Sequence, residues 1–294
     1  MKYKLTPMAE EDFGYIEKKI QEVIQAADPG QIEKKEEEFV LKIENDAGEI
    51  IGGCIARLFC SDGGQMVLDT LWVREQHREQ GIGSMLLCEA ERIARELGCY
   101  ISCLYTLDFQ ARGMYEKHGY AAFAVLEDRP RTHEVYAMSK RLDRVARDYV
   151  PKNHCADMPY IIKRGNEKDA RMIAAGLKKH DDFFAPSLHG RIPLCRKLVD
   201  SRGNLVAGVI AGVDGWDGCY IADIYVEELY QKQGLGSFLL AEVEREAKKQ
   251  GAYILLTNAN DDNVGFFIRN GCSVAGVLKD FPKGHCSYEL MKRL

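Results

Sequence analysis

Residues 70–100 read TLWVREQHREQGIGSMLLCEAERIARELGCY, and residues 223–253 read DIYVEELYQKQGLGSFLLAEVEREAKKQGAY. At a constant offset of 153 positions (223 − 70), 14 of the 31 are identical, against about two by chance on ordinary residue usage. The two halves also end alike, at offset 152. His133, Tyr136, Lys140, Arg141 and Leu142 recur as His285, Tyr288, Lys292, Arg293 and Leu294. One residue is therefore gained or lost between Tyr100 and Gly119. A period this long excludes a solenoid of short repeats; the chain is a duplicated domain. The seam lies in RVARDYVPKNHCADMP, with two prolines, mixed charge and no apolar period. The expected limits are 1–143 for the first domain, 144–157 for a linker and 158–294 for the second domain.

Working outward, each half shows one order of elements. An extended segment (KYKLTPM; PYIIKRG) precedes a helix with acidic residues at its start (EEDFGYIEKKIQEVIQ; EKDARMIAAGLKK). Two apolar strands follow around Ala47-Gly48 and Gly203-Asn204, pairs that suit tight turns. A third strand (MVLDTLWV; CYIADIYV) runs into a glycine loop and a helix whose Met85, Leu86, Ala90, Ile93, Ala94 and Leu97 share one face. A strand, a short helix and a terminal hairpin complete the unit. The expected fold class is α/β (α+β): in each domain a mixed, mostly antiparallel twisted sheet flanked by helices.

The 294 residues suit two domains. Hydrophobic residues make up 46% and charged residues 29%, which excludes disorder over the whole chain. No apolar run reaches the roughly 18 residues of a membrane span, and MKYKLTPMAEEDF lacks a secretory h-region. A cytoplasmic protein with no membrane partner is expected. A net charge of −5 argues against a nucleic-acid partner. The cysteines (Cys54, Cys60, Cys88, Cys99, Cys103, Cys155, Cys195, Cys219, Cys272 and Cys286) form no CxxC pair. Structural roles and no metal site are expected of them, and no disulfides in a reducing compartment.

The glycine loop is Arg78-Glu79-Gln80-Gly81-Ile82-Gly83-Ser84 in the first half and Gln231-Lys232-Gln233-Gly234-Leu235-Gly236-Ser237 in the second. Glycines let the backbone turn sharply and approach a ligand, and a helix N-terminus offers unpaired N–H donors to an anion. The dinucleotide fingerprint fails, because Gly83 is followed by Ser84, Met85 and Leu86. The Walker pattern fails for want of a GK[ST] ending. The loop resembles the (R/Q)-x-x-G-x-(G/A) signature of the GNAT N-acetyltransferase superfamily. Ala111, Tyr115, Gly119 and Tyr120 in ARGMYEKHGY match that family's A-x-x-x-Y-x-x-x-G-(F/Y) element. The resemblance covers both halves and nearly the whole chain, so tandem GNAT-like domains are expected.

The resemblance implies acetyl-CoA as co-substrate and no metal. Its pyrophosphate would lie on the loop amides, and its pantetheine arm would pair with the backbone of Leu71, Trp72 and Val73, or of Ile224, Tyr225 and Val226. The family asparagine that contacts the CoA arm corresponds to Asp108 in the first half and to Asn260 in the second. Tyr115 occupies the position of the general acid that protonates the departing thiolate; as a core aromatic it would simply pack the helix. The matching residue is Phe267, which has no proton to give. The first half is therefore expected to be active, and the second degenerate or reliant on another acid.

The common glutamate base is replaced by Cys103 and Leu255. Asp69 is the candidate substitute, with a hydrogen-bonding role in the strand as the alternative; Asp223 stands one position later in the second half. His133 and His285 are further candidate proton acceptors, as imidazoles are, or turn caps beside Pro130 and Pro282. Trp72, Tyr105 and Phe109 are either acceptor-pocket or core aromatics. The function implied is N-acetylation of a primary amine, on a small molecule or a protein, by direct attack. The alternative is a regulatory acyl-CoA-binding tandem with little or no turnover in the second half. A monomeric pseudo-dimer and a homodimer both fit.

Overall fold

A computed structural model describes residues 3–27, 36–59, 64–144 and 160–294. The first half of the chain forms β1 (Lys4–Pro7), α1 (Glu10–Ala27), β2 (Glu36–Glu44), β3 (Ile50–Phe59), β4 (Gln65–Val73), α2 (Ile82–Glu96), β5 (Ile101–Leu107), α3 (Arg112–Lys117), β6 (Ala121–Glu127) and β7 (Glu134–Arg141). The second half forms β8 (Ile162–Arg164), α4 (Glu167–Phe184), β9 (Ile192–Pro193), β10 (Arg196–Val199), β11 (Leu205–Val213), β12 (Gly218–Val226), α5 (Leu235–Lys249), β13 (Ile254–Asn260), α6 (Val264–Arg269), β14 (Ser273–Lys279) and β15 (Cys286–Arg293). The expected linker lies, apart from Arg144, outside the described residues, as do Cys60 and Cys155; none of the eight described cysteines is in a disulfide. No helix among the described residues is long and apolar enough to cross a membrane.

The limits 1–143 and 158–294 describe the sequence repeat and not the packing. One compact unit comprises Gln31–Glu127 and His133–Pro186 and is called here the Tyr115 unit. The other comprises Met1–Gly30, Asp128–Thr132 and Ser187–Leu294 and is called the Phe267 unit. In the Tyr115 unit the strand order is β6-β7-β5-β4-β3-β2-β8. In the Phe267 unit it is β1-β10-β11-β12-β13-β15-β14, with β9 on β11. Within each unit one pair is parallel, β4 with β5 and β12 with β13, and the other pairs are antiparallel. The mixed, mostly antiparallel sheet is thus present twice.

The exchange follows from where the first strand and helix of each half find partners. Near the N-terminus, β1 pairs with β10, Lys4 opposite Val199 and Pro7 opposite Arg196. In return β8 pairs with β2, Ile162 opposite Ile43 and Arg164 opposite Leu41. Each helix then packs on the sheet its strand has joined. A Cβ placed on Gly208 of β11 would lie 2.4 Å from Ile16 Cδ1 of α1, and one on Gly53 of β3 would lie 2.3 Å from Ile173 Cδ1 of α4. Lys197 Nζ meets Asp12 Oδ2 at 2.6 Å, and Lys42 Nζ meets Asp169 Oδ2 at 3.1 Å. The same carboxylates start their helices: Asp169 closes a capping box with Asn166, and Asp12 Oδ2 accepts the Ala9 N–H.

The core of the Tyr115 unit lies between the sheet and α2, with Ile51, Met66, Leu86, Leu87, Leu104 and Met138 essentially inaccessible. Into it projects a buried ion pair, Lys140 Nζ to Glu91 Oε2 at 2.5 Å, and a half-buried counterpart in the Phe267 unit joins Lys292 to Glu244 at 2.6 Å.

The packing of α4 on the first half's sheet has a measurable consequence. An interior helical Gly→Ala change ordinarily stabilises by about 0.8–1.0 kcal/mol. At Gly176 of α4, however, a Cβ would lie 2.4 Å from Trp72 Cε2, and such overpacking costs about 1–3 kcal/mol. Of the two tryptophans, Trp216 belongs to the Phe267 unit, so in a Trp216→Phe background Trp72 emission follows the Tyr115 unit alone. Gly176→Ala should lower the urea midpoint read by that emission. A raised midpoint would mean that α4 does not rest on Trp72.

Candidate active site

The site begins with an extra residue. Strand β4 pairs in parallel with β5 only from Gln65↔Ile101 to Leu68↔Leu104. Against β3 its register shifts at that point, Thr70 facing Ile55 and Leu68 facing Ala56, which leaves Asp69 as the bulged residue. A bulge bends its strand and increases the twist. Beyond it Leu71, Trp72 and Val73 stay with β3, while β5 continues along β7 to Leu107↔Val135. No described strand pairs with the other edge of Thr70–Val73. In the Phe267 unit β12 leaves β13 after Ile221↔Thr257; Ala222 is the extra residue, and Ile224, Tyr225 and Val226 remain on β11.

Strand alternation sends Leu71 and Val73 to one face and Trp72 to the other. Leu71 Cδ2 and Val73 Cγ2 lie within 4.0 Å of a Cβ built on Gly83, whereas the Trp72 indole meets Gly176 of α4. The glycine loop follows a 3-10 turn, Glu75–His77. Glu79 and Gly81 take positive φ, 61° and 80°, and Gly81 is the N-cap of α2 with no side chain capping the first turn. The amides of Ile82, Gly83 and Ser84 therefore open the helix. Lys232 and Gly234 repeat these angles, 56° and 81°, before Leu235, Gly236 and Ser237 of α5.

Side chains hold both loops in the same way. Arg78 Nε donates to the Val73 carbonyl at 3.2 Å, and Gln231 Nε2 to the Val226 carbonyl at 3.1 Å. Gln80 accepts from Tyr160 Oη and Gln233 from Tyr3 Oη, so in each unit the loop is braced by a tyrosine from the opposite half of the sequence. A Cβ on Gly83 would lie 3.2 Å from Met114 Sδ, and one on Gly236 3.2 Å from the Phe266 ring. Uncapped amides in a cradle that a side chain would fill suit the phosphates of a nucleotide-like co-substrate.

Tyr115 lies on α3 in the hydrophobic core, 8% exposed, edge-on to Tyr120 with centroids 5.8 Å apart. Its hydroxyl makes no hydrogen bond to a described residue. Burial pushes the phenol well above the ordinary tyrosine value, which keeps its proton in place at neutral pH. Phe267 takes the equivalent position on α6 and is 3% exposed. Cys103 and Leu255, which stand where the resemblance expects a glutamate, are both buried.

The other candidates divide sharply. Asp69 is clamped by Arg57, Nε to Oδ2 at 2.6 Å and Nη2 to Oδ1 at 2.7 Å, a bidentate pair that ties up the carboxylate in the strand. Asp108 meets His133, with Nδ1 3.0 Å from Oδ1. Asn260 spends its amide oxygen on the N–H groups of Asp262 and Asn263 in a local turn. His285 stands 3.5 Å from Asp261 rather than from Asn260.

Several neighbours of this site escape a reading of the repeat. Gln110 accepts from Leu107 N at 3.0 Å and donates to Asp181 Oδ1 of α4 at 2.7 Å. Phe109 stacks on Phe184 with centroids 5.0 Å apart and planes 13° apart, and it meets His133 edge-on at 4.9 Å. His180 packs against Phe184 at 5.2 Å. Half of this cluster comes from α4, which the repeat assigns to the other domain, so no pattern in the first half signals it.

The model of the acetyltransferase (GNAT) family matches residues 4–120 and again 165–271. Blasticidin-S acetyltransferase of Streptomyces morookaense is 38% identical over 86 residues, 29% of this chain and 61% of that protein. Acetyltransferase Atu2258 of Agrobacterium fabrum is 30% identical over 94 residues, 32% of this chain and 66% of that protein. The chain thus spans less than two thirds of the length of these curated relatives. A crystal structure of an acetyltransferase from Bacillus cereus ATCC 14579 is 33% identical, covering 46% of this chain and 95% of its own, with a TM-score of 0.42. With one matched stretch in each half and most of the sequence inside them, the chain belongs to the GNAT acetyltransferase family and carries its domain in tandem.

Proposed function

We propose that the protein is a cytoplasmic N-acetyltransferase that moves an acetyl group from acetyl-CoA to a primary amine, and that the Tyr115 unit runs the reaction. The observation that carries this reading is the opening of β4 from β5 at Asp69, with uncapped α2 amides behind it and the unbonded Tyr115 hydroxyl in the same unit. Acetyl-CoA supplies the thioester. The amides of Gln80, Gly81, Ile82, Gly83 and Ser84 bind its pyrophosphate. The open edge of Leu71, Trp72 and Val73 orients its pantetheine arm.

The acceptor must lose a proton before it can attack. At pH 7 an alkylamine of pKa 10.4 is about one part in 10³ neutral, a deficit of about 4–5 kcal/mol. Asp108 holds Nδ1 of His133, which leaves Nε2 to accept that proton, directly or through water. Asp69 is committed to Arg57 and serves the bulge. A backbone N–H near Val73 stabilises the oxyanion, and Tyr115 protonates the departing thiolate. The acceptor is an amine on a small molecule or a protein.

For the Phe267 unit a second reading is favoured by Phe267 itself. The loop and its left-handed glycine are intact, while the acid position holds a buried ring. We read this unit as an acyl-CoA-binding copy with little turnover.

Three measurements test these assignments. Gly83→Val should abolish CoA binding to the Tyr115 unit, and Gly236→Val that to the Phe267 unit, each halving the calorimetric stoichiometry. Unchanged affinity and stoichiometry in both would refute the loop assignment. Tyr115→Phe should lower kcat by about 10²-fold with little change in the KM for acetyl-CoA. Because burial raises the Tyr115 phenol, phenolate absorbance of the native protein and of Tyr115→Phe should coincide through about pH 10, where an ordinary tyrosine is half ionised. A missing phenolate in the variant at that pH would mean an exposed, unperturbed Tyr115.

A further inference from the structure

Helix α4 touches both lips of the opening in the Tyr115 unit. Its Gly176 lies against Trp72 on β4, and its Asp181 takes the hydrogen bond of Gln110 just beyond β5. The anchors are five residues apart, about 7.5 Å of helix, more than the roughly 4.8 Å between paired strands. The helix therefore bridges the strands where they have parted. It does so on the face of Trp72, opposite the face on which Leu71 and Val73 meet Gly83. The phosphate loop and α4 thus flank the opening from its two sides.

The last turn of α4 is unusual in what it presents. Phe184 is 45% exposed and Phe183 81% exposed, although both are large and apolar. The inner ring, Phe184, already stacks on Phe109, with His180 tilted against it. On the same turn, Asp181 is only 9% exposed. Its Oδ1 is held by Gln110 and stands 3.3 Å from His180 Nδ1, while Oδ2 takes no hydrogen bond from a described residue. Buried carboxylates are ordinarily paired, and one with a spare oxygen beside exposed aromatic faces fits a cation attached to a flat apolar body.

We propose that the C-terminal turn of α4 selects the acceptor of the Tyr115 unit: Phe184, with Phe109 and His180, receives the ring of an aromatic amine, and Asp181 receives its ammonium group. The site of the first half of the sequence is then completed by the second half. This rests on the acetyl-transfer reading for its role in a reaction, but the binding itself can be measured without turnover.

The test is equilibrium binding to the full chain in saturating CoA, with 2-phenylethylamine, n-hexylamine and 2-phenylethanol as probes. 2-Phenylethylamine should bind about tenfold tighter than either of the others, since ring stacking and the charge-assisted hydrogen bond each add affinity. Phe184→Ala, at a half-exposed position, should erase the preference over n-hexylamine and leave that over 2-phenylethanol. Asp181→Asn should do the reverse. Equal binding of the three probes, or a preference unmoved by both variants, would overturn the proposal. Acetylation assays on the same proteins, with acetyl-CoA in place of CoA, separate the two readings. Selective binding of 2-phenylethylamine without acetyl transfer to any amine would sink the enzymatic reading and leave the site standing. Transfer to all amines alike, with no selective binding, would do the opposite.

Discussion

Gly53 and Gly208 carry no side chain on the face of the sheet where Ile173 and Ile16 press, and the architecture depends on those two vacancies. With a Cβ in either place the isoleucine would sit more than an ångström inside contact distance. Because the glycines are there, α4 and α1 lie close enough for Lys42 and Lys197 to reach the acids at the helix starts. The seating of α4 in turn brings Gly176 onto Trp72 and Asp181 to Gln110. A missing methyl group in a strand thus fixes where a helix from the far half of the chain meets the end of the sheet at which β4 parts from β5.

The duplication, the order of elements and the glycine loop were legible because each leaves a local mark: a repeated string, a period, a pair of glycines before a helix. The exchange of β1–α1 for β8–α4 leaves none. Both halves carry the same complementary set, with Ile16 and Ile173, Asp12 and Asp169, Lys42 and Lys197, and Gly53 and Gly208. Each helix therefore carries the contacts that either sheet requires, and sequence cannot say which copy it chooses. The same blindness hid His180, Asp181 and Phe184 from the site. Asp69 illustrates a different limit. Its position at the bulge could be anticipated by analogy, but its pairing with Arg57 depends on which residue β3 sets opposite, and the bulge itself shifts that register.

The two units differ at the point where chemistry would be most demanding and agree where stability is. The ion pairs Glu91–Lys140 and Glu244–Lys292 are both kept, and removing one partner of the buried first pair would strand a charge in the core. So are the left-handed glycines that open α2 and α5. At matching positions of α3 and α6, Tyr115 and Phe267 are both buried and differ only by a hydroxyl, which packing tolerates. Loss of that hydroxyl need not disturb the fold, and the Phe267 unit retains a well-formed loop beside a ring with no proton to donate.

The pairing of Lys4 with Val199 also has a consequence for the order of assembly on the ribosome. Strand β1 and helix α1 are made before their partners β10 and β11, which emerge only after β2–β7 have been synthesised. Until then the face that buries Ile16 cannot reach the sheet it covers in the folded protein. The sheet of the Tyr115 unit likewise waits for β8 and α4. Domains synthesised N-terminal first can ordinarily fold one after the other, and contacts so distant in sequence slow folding. In the folded protein neither unit is built from the residues of its own half alone, so the final pairing of the first helix waits until the second copy has been made.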